Sequence, residues 1–302
     1  MVDEPPAEQG WRFKHHGSLG SSALVVLAEA TVRALNARGV PLPAGNRADR
    51  ALELIQQSHD GRLKVTRDDP QTRALIAGAI RDAWEFYLIA RTLPRECDAD
   101  LDGKLKVMLQ GSQRSNKPRD FQCEQLVGAL FAMADIPVRP AEPDLHIMFR
   151  GEEWGIAVKR VRSAEQLAPR TTKARKQLEK QRLRGFIAVN VDAFLERVPA
   201  SGDPAAVGQA FDEAVARLHR LLPELAKQRC LLGIMIIGAV AGWEFDGDKP
   251  RVFHPLIFQG RPLEDDSQDR ALVNDLFNRL ERGIERRVPQ IYAELGAAMS
   301  QP

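Results

Sequence analysis

Two side chains of opposite charge, Asp144 and Lys159, stand fifteen positions apart, and each adjoins a short β-forming run. Pro143 and Asp144 precede the run LHIMF, and Lys159 ends the run WGIAVK. Because side chains alternate along a strand, Gly155, Ala157 and Lys159 point to one face, and the two small residues leave room beside the ammonium group. A carboxylate and a cation beside open space suit phosphodiester hydrolysis, in which a divalent ion polarises the phosphoryl oxygen and acidifies a bound water.

The stretch from about residue 118 to residue 195 resembles the PD-(D/E)xK nuclease superfamily, in particular its Mrr-type restriction endonucleases. The resemblance rests on Pro143 and Asp144 at a strand start, Lys159 at a strand end, the upstream helix FQCEQLVGALF, and a following helix that contains Gln177. It implies a mixed central sheet flanked by helices and a weakly bound Mg²⁺ or Mn²⁺ ion at Asp144. It also implies that Lys159 orients or deprotonates the attacking water, and that Gln177 matches the glutamine that related nucleases place after the lysine.

The chain departs from this pattern two residues before the lysine, where the family has a second carboxylate and this sequence has Ala157. Alanine cannot bind a metal ion, so an active site needs a carboxylate from elsewhere. Glu124 fits best, because apolar residues three positions to either side direct it along the buried side of its helix. A buried carboxylate needs a partner, and a metal ion, Lys159 or another structural ion pair would serve. Glu153 lies too far along the strand, and Glu179 points away from the inner face of its helix.

The charge of the chain is unevenly distributed. The net charge is +2, yet residues 159–184 hold ten basic residues against two glutamates, so this segment carries +8 and the rest of the chain −6. A local basic patch on an otherwise acidic protein is typical of a surface that contacts a phosphate backbone, although a solvated helix face would have the same composition. The predicted nucleic-acid contacts are Arg160, Arg162, Lys173, Arg175, Lys176 and Lys180.

Hydrophobic periodicity divides the chain into a helical first part and an alternating second part. Residues 1–18 are expected to form a flexible tail, and residues 19–115 carry helical patterns throughout. From residue 116 helices alternate with apolar β-like runs, which indicates an α/β domain with a mixed sheet and helices on both faces. The run 252–258 is predicted to be an edge strand, because Pro255 cannot donate to a ladder.

Composition excludes several classes of protein. The longest apolar run is short and broken by glycine, so no membrane span is predicted. Cys97, Cys123 and Cys230 form neither a metal pattern nor a disulfide set, and the N-terminal residues lack the apolar run of a signal peptide, so a cytoplasmic location is expected.

Two functions of different class follow from these residues. The first is a metal-dependent nucleic-acid phosphodiester hydrolase, similar to a DNA endonuclease, that uses Asp144, Lys159, Glu124 and Gln177. The second is a catalytically degenerate relative that keeps the fold and binds only nucleic acid or a partner protein. One sequence also leaves open that Ala157 replaces a native glutamate. DNA is the expected partner, and the N-terminal helices select the target or form a homo-oligomer surface.

Overall fold

The computed structural model describes residues 11–39, 44–94, 98–110, 117–195, 204–221, 225, 230–239, 241–246, 249–263 and 267–299.

The first part of the chain is one strand followed by four helices. Strand β1 is followed by helices whose starts are marked in the sequence: Asn46 accepts hydrogen bonds from the amides of Ala48 and Asp49, and Asp69 caps a helix that begins at Pro70. The elements are β1 (Trp11–Leu19), α1 (Ser21–Ala37), α2 (Arg47–His59), α3 (Pro70–Thr92) and α4 (Asp98–Leu109).

The second part alternates helices and strands, as the sequence predicts. Its elements are α5 (Lys117–Met133), β2 (Val138–Ala141), β3 (Asp144–Phe149), β4 (Glu152–Arg160), α6 (Leu167–Gln181), β5 (Gly185–Asn190), α7 (Asp192–Leu195), α8 (Pro204–His219), β6 (Leu231–Ala239), β7 (Gly242–Asp246), β8 (Lys249–Pro262) and α9 (Ser267–Met299).

These strands form one mixed eight-stranded sheet in the order β1-β8-β6-β5-β4-β3-β2, with β7 also paired to β8. Strands β4, β5 and β6 run parallel, and the other pairs are antiparallel. The mixed α/β class predicted from the sequence is confirmed. The sheet also brings the ends of β3 and β4 side by side, which is where the candidate site lies.

Helices cover both faces of the sheet. Trp154, Ile156 and Val158 of β4 belong to one hydrophobic cluster with α5 and α9, whereas Ala157 belongs to a second cluster with α6 and α8. The first cluster also contains Leu24 and other residues of α1 to α3, so the N-terminal helices share a core with the sheet. Within the described ranges, no helix combines the length and the apolar character that crossing a bilayer requires.

Two sequence predictions about strands are wrong. Residues 11–18 are not a loose tail but part of β1, which pairs along its whole length with β8; residues 1–10 lie outside the described part. Strand β8 is not an edge strand, because it lies between β1 and β6. On one side of β8 the partner strand changes at Pro255: β7 pairs with β8 as far as Phe253 of β8, and β6 pairs with β8 from Leu256 of β8 onward. Pro255 lies between these two ladders, so its missing N–H is tolerated there.

Candidate functional site

The antiparallel pair β3–β4 brings Asp144 and Lys159 together. Leu145 pairs with Ile156, so Asp144 at the start of β3 faces the carboxyl end of β4. Lys159 Nζ donates to Asp144 Oδ2 over 2.9 Å and to the carbonyl oxygen of Val158 over 2.7 Å, and the amide of Val158 donates to the same Oδ2 over 2.7 Å. The prediction that these two side chains lie on neighbouring strands, on the same side, is confirmed.

This ion pair is largely removed from solvent. The side chains of Lys159 and Asp144 are 9% and 14% exposed. Burial raises the pKa of Asp144 above its ordinary value, and the opposing effects of Lys159 and of the Val158 amide do not fully cancel it. Within the described part of the chain, Asp144 Oδ1 accepts no hydrogen bond, so one carboxylate oxygen is left for a ligand.

Glu124 lies beside this pair, as the helical spacing of α5 predicts. Its side chain is 14% exposed, and Glu124 Oε2 accepts an ion pair from Lys104 Nζ of α4 over 3.2 Å. Burial first, and then the negative charge of Asp144, raise the pKa of Glu124 to about 7. Of the partners left open by the sequence, the structure shows another ion pair, because α4 packs on α5 and brings Lys104 to Glu124.

Ala157 stands where the resemblance requires a carboxylate. The register of β3 and β4, continued by one residue, places it opposite Asp144. Its side chain is 0% exposed and packs in one cluster with Ala174 and Leu178 of α6, so helix side chains occupy the space beside it. Helix α6 comes this close because Gly155 has no Cβ, which would lie 2.9 Å from a methyl group of Leu178.

The donor set near Asp144 is small. No group of three His, Cys, Asp or Glu side chains within the described ranges is arranged to hold a metal ion. Asp144 and Glu124 supply two carboxylates, and Mg²⁺ is commonly bound by one or two carboxylates together with waters and substrate phosphates. The residues present therefore fit a weakly held divalent ion. The other carboxylates are engaged elsewhere: Glu153 with Arg139 and His146, and Glu179 with Arg175.

Gln177 is half-buried on α6, between the sheet and solvent. Its Oε1 is buried and has no hydrogen-bond partner in the part of the chain that the structure describes. An orphaned buried amide oxygen normally costs about 1–3 kcal/mol, so a partner outside the protein would stabilise it. The predicted inner face of α6 is confirmed at Ala174 and Leu178, whereas Gln181 is exposed.

Three lysines form a basic stripe on α6. Lys173, Lys176 and Lys180 are exposed, and their spacing of three and four residues places them on one side of the helix. Two other predicted contacts are less available: Arg162 is half-buried, and Arg175 is ion-paired to Glu179.

Arg160, another predicted nucleic-acid contact, does not lie on that stripe. It lies at the end of β4, where burial lowers its pKa and the charge of Asp192 opposes this effect. Asp192 follows β5 and is itself fully enclosed, accepting hydrogen bonds from the Ala239 amide and from Asn190. Arg160 is thus directed to a polar interior instead of an open phosphate-binding surface.

That interior is a buried charge network that the sequence does not reveal. Arg47 of α2 donates to Asp82 of α3 over 2.7 Å and to Gln122 of α5 over 2.8 Å. Arg119 of α5 also pairs with Asp82, and Gln122 donates to Glu85 over 2.5 Å. Burial, followed by the charge of Asp192, raises the pKa of Glu85 to about 7. The contacts join residues up to 75 positions apart, so no local pattern indicates them.

Comparison of the chain with family models, with curated proteins and with solved structures finds no match. Function is therefore inferred from the chemistry of the site itself.

Proposed function

We propose that this chain is a metal-dependent nucleic-acid phosphodiester hydrolase whose site comprises Asp144, Lys159 and Glu124. The observation that carries the proposal is the 2.9 Å contact between Asp144 and Lys159 on neighbouring strands, with Glu124 close enough for the Asp144 charge to act on it. Two carboxylates, from β3 and α5, and one ammonium group, from the end of β4, are groups that can support phosphodiester hydrolysis. The resemblance to PD-(D/E)xK nucleases points to the same three residues or their equivalents.

Each residue has a role that follows from its contacts. Asp144, through its available Oδ1, and Glu124 would hold the divalent ion, which when bound polarises a phosphoryl oxygen and acidifies a water. Lys159 donates two of its three N–H bonds to Asp144 and to the Val158 carbonyl, which leaves one for a phosphate oxygen or the attacking water. Gln177 precedes Leu178 and so lies near Gly155, away from the Lys159 end of β4; its buried Oε1 therefore has no role in the proposed step.

The basic stripe of α6 is the proposed contact for the nucleic-acid backbone. Helix α6 returns antiparallel to β4, with Leu178 near Gly155, so the first turns of α6 lie toward the Lys159 end of the strand. Lys173 is therefore the stripe residue nearest the site. No aromatic residue interrupts the stripe, which favours contact with phosphates over reading of bases.

A second candidate, a nucleic-acid-binding module without hydrolysis, is favoured by one observation. Ala157 is enclosed by α6, and Asp144 Oδ2 is already occupied by Lys159 and the Val158 amide. A metal ion would then have one free oxygen of Asp144 and a Glu124 carboxylate that Lys104 already neutralises. In this candidate the ion pair keeps β3 and β4 in register, and the lysine stripe alone carries the function.

Nuclease assays distinguish the two candidates. Labelled single-stranded and double-stranded DNA and RNA are incubated with the full chain and Mg²⁺, Mn²⁺ or EDTA. We expect slow cleavage that requires a divalent ion and is lost in Asp144→Asn and Lys159→Met. The matched controls Asp60→Asn and Lys106→Met, at exposed positions, should cleave normally.

Thermal melts establish that each variant is folded, because breaking a buried pair can cost about 3 kcal/mol. Cleavage that survives in Asp144→Asn, at wild-type rate, contradicts the proposed site. Nucleic-acid binding without cleavage under every condition supports the second candidate in its place.

A further inference from the structure

A second charged feature lies at the opposite end of β3. The end of α5, the turn between β3 and β4, and α9 surround a cavity of about 580 Å³. We call this cavity the arginine groove. Its charged lining residues are Arg150, Arg279, Arg282, Arg286, Asp135 and Asp275. Four arginines against two aspartates give this lining a net charge of +2, and the volume lies in the range of small-molecule sites.

The sequence builds the groove from one face of α9. Arg279, Arg282 and Arg286 are spaced three and four residues apart, so their side chains project from the same side of the helix. Gly283 lets that side come against the end of α5, because a Cβ there would lie 2.3 Å from Ala134 Cα. The close approach of the helices places the three guanidinium groups around one depression.

Asp135 holds part of this arrangement. It adopts a φ of 54°, the left-handed conformation that usually favours glycine or asparagine after a helix. Its carboxylate forms ion pairs with Arg286 and with Arg287 of the next position. Asp135 thus follows α5 in a left-handed conformation that Asp and Asn tolerate, and from there its carboxylate fixes two arginines.

The remaining arginines are not all neutralised. Arg150 pairs with Asp275 over 2.8 Å, and Arg279 donates to the carbonyl oxygens of Ala134 and Asp135. Because carbonyl oxygens carry no formal charge, these two hydrogen bonds do not neutralise the positive charge of Arg279. Arg282 forms neither a hydrogen bond nor an ion pair with any residue that the structure describes.

We propose that the arginine groove binds a small ligand that carries a chain of phosphates, such as a nucleoside polyphosphate. Guanidinium groups match phosphate oxygens in paired hydrogen bonds, and several arginines around one depression select an anion with more than one charge. Asn278 also lines the cavity and offers an amide to a less charged part of the ligand.

Position separates this site from the proposed nuclease site. Phe149, which lines the groove, lies five residues along β3 from Asp144, about 17 Å at the rise of a strand. The groove is formed by α5 and α9 on one face of the sheet, whereas the lysine stripe of α6 covers the other face. The groove is thus separate from the surface proposed to contact nucleic acid, and its volume favours a small ligand.

Calorimetric titration of the full chain with inorganic tripolyphosphate, ATP, citrate and a short oligonucleotide without terminal phosphates tests the proposal. We expect saturable binding of tripolyphosphate and ATP, one per chain, and weaker binding of citrate. Arg282→Ala should weaken binding about tenfold or more, since a charge-assisted hydrogen bond is lost. Equal affinities for the two phosphates would identify the phosphate chain as the ligand, and tighter binding of ATP would add the nucleoside.

Two further variants separate a binding site from a structural ion-pair cluster. Asp135→Asn keeps a residue that tolerates the left-handed conformation but removes a competing carboxylate, so it should tighten phosphate binding. Arg217→Ala removes an exposed arginine of α8 and should leave binding unchanged. The proposal is overturned by the absence of saturable phosphate binding, by equal effects of Arg282→Ala and Arg217→Ala, or by Arg282-dependent binding of the oligonucleotide alone.

Discussion

Asp144 and Lys159 illustrate what a buried ion pair can and cannot explain. Taking both charges out of water costs several kcal/mol, and an apolar pair of the same size often stabilises a protein at least as well. The pair therefore has little value as a fastener for β3 and β4, whose ladder already fixes their register. The open Asp144 Oδ1 beside this pair is what the proposed metal-dependent function requires.

Ala157 allows a direct test of that explanation. Ala157→Glu should place a third carboxylate opposite Asp144 and raise both Mn²⁺ affinity and cleavage. It should also reduce the free energy of unfolding by about 1–3 kcal/mol, because Ala157 is fully enclosed against Ala174 and Leu178. Calorimetry with Mn²⁺, nuclease assays and denaturant unfolding measure the three effects.

Ala157→Gln is the matched control for this substitution. It has the same shape and the same packing cost as Ala157→Glu but brings no negative charge. If both variants bind Mn²⁺ and cleave equally, the carboxylate at this position has no role, and the binding-module candidate is preferred.

At the scale of elements, α6 combines two roles on two faces. Ala174 and Leu178 pack on the sheet beside the site, and Lys173, Lys176 and Lys180 face solvent. Because these three lysines face solvent, replacing them does not alter the packing of α6 on the sheet. Its contribution to binding can therefore be measured without altering the site.

Replacement of Lys173, Lys176 and Lys180 by alanine should weaken nucleic-acid binding to a similar extent for every sequence. Each lysine that neutralises a phosphate releases counterions, so the slope of log affinity against log salt concentration should fall by up to about three. Fluorescence anisotropy over a series of salt concentrations measures that slope. An unchanged slope would identify the stripe as a solvated helix face.

The control for the lysine stripe removes the same charge elsewhere. Lys106, Arg217 and Arg220 are exposed on other parts of the surface, and their joint replacement by alanine matches the change in net charge. A similar loss of affinity in this variant would show that net charge, and not the stripe, controls binding.

Sequence patterns predicted the elements whose own residues show strand alternation or helical spacing. The strands around Asp144 and Lys159 and the helix of Glu124 follow from alternation and helical spacing, and the structure agrees. Long-range partners could not be predicted in the same way. Lys104 reaches Glu124 through the packing of α4 on α5, and β1 finds β8 from more than two hundred residues away. Such contacts depend on how elements pack, which no local spacing encodes.

At the scale of the whole molecule, the buried charge network joins the N-terminal helices to the sheet. It links Arg47 and Asp82 of α2 and α3 to Arg119 of α5, and it extends electrostatically to Asp192 after β5. The two parts also share one hydrophobic cluster. The helical part is therefore bound to the sheet by both apolar and ionic contacts.

Glu85, at the centre of this network, should make the stability of the whole protein depend on pH. Its pKa is raised to about 7 in the folded protein, from 4.5, because it is buried near Asp192 and Asp82 and only partly offset by Arg81 and Arg119. As pH rises from about 4.5 to 7, Glu85 ionises in the unfolded chain but keeps its proton in the folded protein, so the free energy of unfolding falls by up to about 1.4 kcal/mol per pH unit.

Glu85→Gln, whose side-chain oxygen still accepts a hydrogen bond from Gln122, should lack this fall. Urea unfolding at several pH values should therefore show that this variant gains stability over wild type across that window. Glu29→Gln, at a glutamate whose side chain is 42% exposed, should track wild type. A constant difference between Glu85→Gln and wild type from pH 4.5 to 7.5 would mean that Arg81 and Arg119 keep folded Glu85 ionised, and that the network is a set of fully paired charges.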